Sequence, residues 1–148
     1  MAIIDDLVLL VKFRVNSTGK EKTIDSSGNP TYVGTDIFEE AEVKTALKLS
    51  LAAFNCIPHF TNITFEDTSL TVIEKISDIL VTYASHLLLA RQSLIERGRE
   101  FTVNNMGVSF TPPKMSDFLY NVSERIYDKW YNQVRDLKKD QAFQILLA

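Results

Sequence analysis

Few side chains in this chain are equipped for chemistry. They are His59 and His86, the single cysteine Cys56, the acid pairs Glu39–Glu40 and Asp117–Glu124, and a basic group of Arg91, Arg97 and Arg99. Metal sites built from imidazole or thiolate draw ligands at short spacings such as HxxxH or CxxC, and neither histidine has such a neighbour. Cys56 could be activated by a histidine only through tertiary contact. Between Phe54 and Ile57 it reads as a small buried thiol. The acid pairs lack surroundings that would split their pKa values for acid–base work, and read as solvated helix faces. Gly19-Lys20 lacks the GxxxxGK[ST] frame of a phosphate loop. The expectation is a protein without catalytic residues, metal or cofactor, and not an enzyme. The arginines at 91, 97 and 99 allow two readings: offsetting a helix dipole, or pairing with a partner's acids. Lys138 and Lys139 allow the same two.

The elements that carry these residues are mostly helical. At 148 residues a single domain over 1–148 is expected, with enough chain for a real core. A net charge of -3 argues against broad nucleic-acid binding, which needs clustered basic charge. One cysteine cannot form an intrachain disulfide. The opening MAIIDDLVLLVKF places acids before its apolar run and has no cleavage pattern, so a secretion signal is not expected. No apolar run approaches the ~20 residues that span a bilayer. Synthesis in the cytoplasm and no membrane partner are therefore expected.

Asp5 and Asp6 open a first helix over Leu7 to Val15, with Lys12 and Arg14 at its end; the β-branched content leaves a strand open. Residues 16–35 form a long polar loop, which either pairs 21–24 weakly with 31–33 or orders on a partner. Asp36, with Glu39 three residues on, begins the second helix as a capping-box-like start. Its core face is Phe38, Val43, Ala46, Leu47, Leu51 and Phe54, and Asn55 and Pro58 stop it. Thr68 or Ser69 caps a long third helix that runs to about Arg97, closed by Gly98. Its apolar positions are Leu70, Ile73, Ile76, Ile79, Leu80, Tyr83, Leu87, Leu88, Leu94 and Ile95. After Pro112-Pro113, Ser116 caps a fourth helix to about Lys139. Phe118, Val122, Ile126, Trp130 and Val134 recur along it at i+4, which reads as core.

Between the long helices, Phe101 and Val103 alternate with Thr102, and Val108 and Phe110 with Ser109, around Asn104-Asn105-Met106-Gly107. This reads as a β-hairpin arm over 99–111. A lone two-stranded hairpin is marginal in water and needs another surface to dock on. The chain closes on Ile145, Leu146 and Leu147, an apolar docking tail over 140–148.

Two stretches carry a family resemblance. One is IDDLVLLVKFRVN followed, across the polar loop, by DIFEEAEVKTALKLSLAAFNCIP. The other is LLLARQSLIERGREFTVNNMGVSFTPPKMSDFLYN. Together they resemble the head–tail connectors, or neck adaptors, of tailed bacteriophages. The resemblance implies a mainly α, four-helix adaptor-like domain with two long helices and one protruding β-hairpin. It implies a virion structural protein of the neck that forms a ring of twelve copies, bound to the portal protein on one side and the next neck or tail protein on the other. DNA would pass through the acidic lumen without specific binding. Interface roles would fall to Phe101, Val103, Val108, Phe110, Arg97, Arg99, Ile145, Leu146 and Leu147, with strand-edge pairing as the physical rationale. The alternatives are another virion part, a tail-completion or minor capsid protein, or a small helical nucleic-acid-binding regulator.

Overall fold

The structure, a computed structural model, describes residues 2–15, 18–24, 26–66, 70–99, 103–105, 108–110, 114–140 and 143–144; of 2, 18–23, 31–36, 70, 99, 103–105 and 108–110 it describes the backbone alone. Four helices dominate: α1 (Ala2–Arg14), α2 (Glu40–Cys56), α3 (Leu70–Arg99) and α4 (Met115–Lys139). The first segment, for which a strand was open, is helical and begins earlier than Asp5. Asp5 lies in its first turn and Lys12 and Arg14 in its last, matching the polarity of the helix dipole.

α2 starts at Glu40 rather than near Asp36. Asp36 ends a strand, and the cap is one turn later: the Glu39 N–H donates to the Glu42 carboxylate at 3.2 Å, the backward half of a capping box. The α2 face expected inside is inside, with Phe38, Val43, Ala46, Leu47, Leu51 and Phe54 all buried. At its far end Asn55 pins the connector. Its side chain donates to the Ile63 carbonyl at 2.8 Å and accepts from the Thr61 hydroxyl at 2.7 Å, which folds buried Ile63 under the chain.

α3 is the central helix, with α1, α2 and α4 packed around it. α1 buries Leu7, Val8 and Val11, and is tied down by Arg14 to Asp78 at 2.5 Å and Lys44 to Asp5 at 3.0 Å. α3 runs through Gly98 to Arg99 instead of closing there. Its core positions are Val72, Ile73, Ile76, Leu80, Val81, Ala84 and Leu88, while Leu94 and Ile95 face out.

The α4 stripe needs a larger correction. Trp130 and Val134 are buried, yet Phe118 is 60% exposed and Ser116, expected as the cap, sits buried inside the helix after N-cap Lys114. The reason is geometric. Each i+4 step overshoots a full turn by about 40°, so five residues at i+4 wrap about 160° around the helix. The buried line instead takes heptad steps, Ser116, Ser123 and Trp130, before Val134 and Lys138.

Two short antiparallel pairings complete the described backbone. β1 (Thr18–Ile24) pairs with β2 (Pro30–Asp36) from Thr18↔Asp36 to Ile24↔Pro30, so the segment expected as a loop pairs over more than 21–24 and 31–33. Its turn holds Gly28 at φ 82°, a conformation that costs glycine nothing. β3 (Val103–Asn105) pairs with β4 (Val108–Phe110), Val103 opposite Phe110. The arm expected over 99–111 otherwise lies outside the described residues, as do the caps Thr68 and Ser69.

Candidate interaction surface

Contacts along α3 and α4 run in opposite directions: Arg97 meets Asp117, His86 meets Ser123, and Tyr83 meets Trp130. They are therefore an antiparallel pair whose two ends differ. At the α2 C-terminal end the filling is bulky. Trp130 stacks obliquely on Tyr83 at 4.3 Å, and Phe143 meets Phe54 edge-on at 6.1 Å. Burial pushes the Tyr83 hydroxyl above its ordinary pKa.

Lys138 is the unexpected member of this end. It is fully buried, and its amine donates to the Phe54 carbonyl and, at 2.5 Å, to the Ile57 carbonyl, 4.5 Å above the Phe54 ring. The last turn of α2 has no basic residue of its own. The Phe54 carbonyl already accepts the Ile57 N–H at 3.3 Å, and at the negative end of the dipole α4 adds the cation that the turn lacks. Burial lowers the amine's pKa to about 8, against a smaller opposing effect of the nearby Cys56. Neither reading offered for Lys138, its own helix's dipole or a partner's acid, describes this; Lys139 is exposed. The only sequence clue was a lysine continuing the row from Trp130 and Val134 at i+4.

At the other end the seam is small. Ser93, Ser116 and Ser123 are buried there. The His86 ring sits 2.8 Å from the Ser123 carbonyl, so its Nδ1 carries the proton and donates. With small residues inside, large ones lie outside: Leu94 and Ile95 are exposed on this stretch of α3, and Met115 and Phe118 on the facing stretch of α4, near the Arg97–Asp117 contact at 3.5 Å.

Of the residues expected at an interface, Arg97 is placed here and reaches its own chain's Asp117. Arg99 ends α3, and Val103, Val108 and Phe110 lie in β3 and β4, with their side chains outside the described residues. Phe101, Ile145, Leu146 and Leu147 also lie outside them. Arg91 pairs with Glu42 of the same chain, and that hydrogen bond holds the Glu42 carboxyl below its usual range. Cys56 is exposed rather than buried, because α2 ends there and turns the side chain off the core face. Among the described residues no three His, Cys, Asp or Glu side chains gather as a metal site, and no helix is long and apolar enough to cross a membrane.

Two further apolar features lie on the described surface. Leu9, Leu10 and Phe13 form an outward stripe on α1, with Phe13 78% exposed. An open groove of about 470 Å³ runs between α2 and α3, lined by Leu49, Leu87 and Leu88 and bounded by the Glu42–Arg91 pair. The signal for the stripe was α1 itself, apolar on both faces where an amphipathic helix would have one. No protein-family model matches the chain, and no curated protein or solved structure matches it either.

Proposed function

We propose that this chain is a structural subunit of a tailed-phage neck, a ring that joins portal to tail and extends the DNA conduit. The observation that supports it most is the surplus of large apolar side chains on the outside of a tied helical body, at α1 and at the α3–α4 end. Such surface is hidden when copies assemble. The residues 99–111 serve in this reading as a protruding hairpin arm, and 145–147 as a tail docked on a neighbour. The net charge of -3 suits a lumen past which DNA slides without sticking.

Quantitative mass spectrometry of purified virions tests the reading through the copy number of this chain relative to portal protein. A ratio near one, or a small whole-number multiple, is expected; absence from the particle ends it and brings forward the regulator, testable by a salt-dependent DNA shift. The arm has its own test. The double substitution Phe101→Asp with Phe110→Asp is expected to leave a folded subunit that no longer assembles, and unfolding would assign both residues to the core instead.

A further inference from the structure

The α1 stripe and the α2–α3 groove lie on opposite flanks of the same layer. Lys44 marks the α1 side of α2 through its contact with Asp5, and groove residue Leu49 stands about 140° around the helix from it. The floor of the groove is Ala46 and Leu88, both buried, and its rim is Leu49, 54% exposed. At one end Arg91 is half exposed, fixed by Glu42 through one nitrogen and left with further N–H donors.

The stripe carries the complementary set in matching order. Asp6 is exposed and makes no ion pair among the described residues, and Leu9, Leu10 and Phe13 follow it at i+3, i+4 and i+7. From Asp6 to Phe13 is seven residues, as from Glu42 to Leu49, and each span is about 10.5 Å of helix. A helix laid along the groove with Asp6 over Arg91 therefore brings its leucines onto Leu87 and Phe13 onto Leu49.

We propose that the occupant is a second copy of this chain: the Asp6, Leu9, Leu10, Phe13 face of one α1 seats in the α2–α3 groove of its neighbour, with Asp6 on Arg91. Because stripe and groove lie on opposite flanks, both cannot be satisfied between the same two copies, so the contact is head to tail and builds rings or filaments instead of closed dimers. Three side chains on a groove bury less than the ~1,200 Å² of a standard complex, so one contact is weak and closure of a ring, giving each copy two, supplies the rest. The inference deepens the ring reading and rests on it for its biological setting. Its test uses the purified chain alone, so failure here leaves the virion measurement intact.

The experiment is sedimentation velocity of the full chain up to about 0.5 mM, where such small interfaces associate. Phe13→Glu spoils the stripe and Leu49→Glu the groove. Both side chains are exposed, and circular dichroism checks that each variant folds, with Phe13→Ser and Leu49→Gln as substitutes if it does not. The wild type is expected to form oligomers beyond the dimer and each variant alone to stay monomeric. A mixture of the two variants is expected to form a one-to-one dimer and stop there, since one good stripe and one good groove remain. A monomeric wild type overturns the proposal. So does a Leu49→Glu chain that still self-associates, or a mixture that does not pair.

Discussion

Near the C-terminus of α2, α4 presses Trp130, Val134 and Lys138 into the body of the protein, whereas toward its start it meets α3 through Ser116 and Ser123. The bulky end buries ring surface and places a cation on the Phe54 and Ile57 carbonyls at the end of α2. The small end lets two helices approach and leaves Leu94, Met115 and Phe118 on the outside. One helix pair thus divides its labour, with folding energy concentrated at one end and displayed apolar surface at the other. Large buried side chains supply most of the stability of a core, while small ones set how closely backbones approach.

Substitutions can break that contrast at either end. Trp130→Ala is expected to have the largest effect, about 3–5 kcal/mol lost in urea unfolding, through the cavity it leaves beneath Tyr83 and Tyr127. A loss under 1 kcal/mol would show that the bulky end does not carry the fold.

Lys138→Met, which keeps the stem, removes the amine from the Phe54 and Ile57 carbonyls and leaves Phe54 with the Ile57 N–H alone. It is expected to cost about 1–3 kcal/mol at pH 7. The pH dependence sharpens this. The folded amine loses its proton near pH 8 and the unfolded one near 10.5, so between those values unfolding takes up a proton. Raising the pH then opposes unfolding, and this group's contribution to stability grows from pH 8 towards 10.5. The stability gap between wild type and Lys138→Met should widen across that window, as urea titrations at pH 7 and pH 10 would reveal; a constant gap would place the amine in water.

At the small end, Ser123→Leu is expected to cost about 1–3 kcal/mol by forcing the seam apart, the usual penalty of overpacking. A neutral result would mean α3 and α4 have room to spare there. The smallest effect is expected for Phe118→Ser, within about 0.5 kcal/mol, because the ring is already exposed. A large loss on thermal melting would move Phe118 into the core and dissolve the distinction between the two ends.

How far the sequence could be read follows from what kind of residue does each job. The α2 core was legible because Val43, Ala46, Leu47, Leu51 and Phe54 recur at helical spacing and no other element competes for that face. The inner face of α3 was legible for the same reason, through Ile73, Ile76, Leu80 and Leu88. The α4 seam was not, because two of its five buried residues are serine and a third is lysine, and apolar periodicity follows only apolar residues. Phe118 illustrates the converse. Its hydrophobicity says that burial is favourable, but not that a partner surface lies within reach. The groove could not be seen at all, since it exists only where α2 and α3 lie side by side.

Four helices, their approximate ends and the inner faces of α2 and α3 were determined by the chain itself, through periods and breakers that act within one or two turns. Only the tertiary structure decided that Lys138 belongs to the end of α2, that Arg91 and Arg97 bind acids of their own chain, and that Phe118 and Phe13 stay outside. The physical reason is range. Helix propensity and capping are settled by neighbours a few residues away, whereas the fate of a charge or a ring depends on which distant surface arrives beside it.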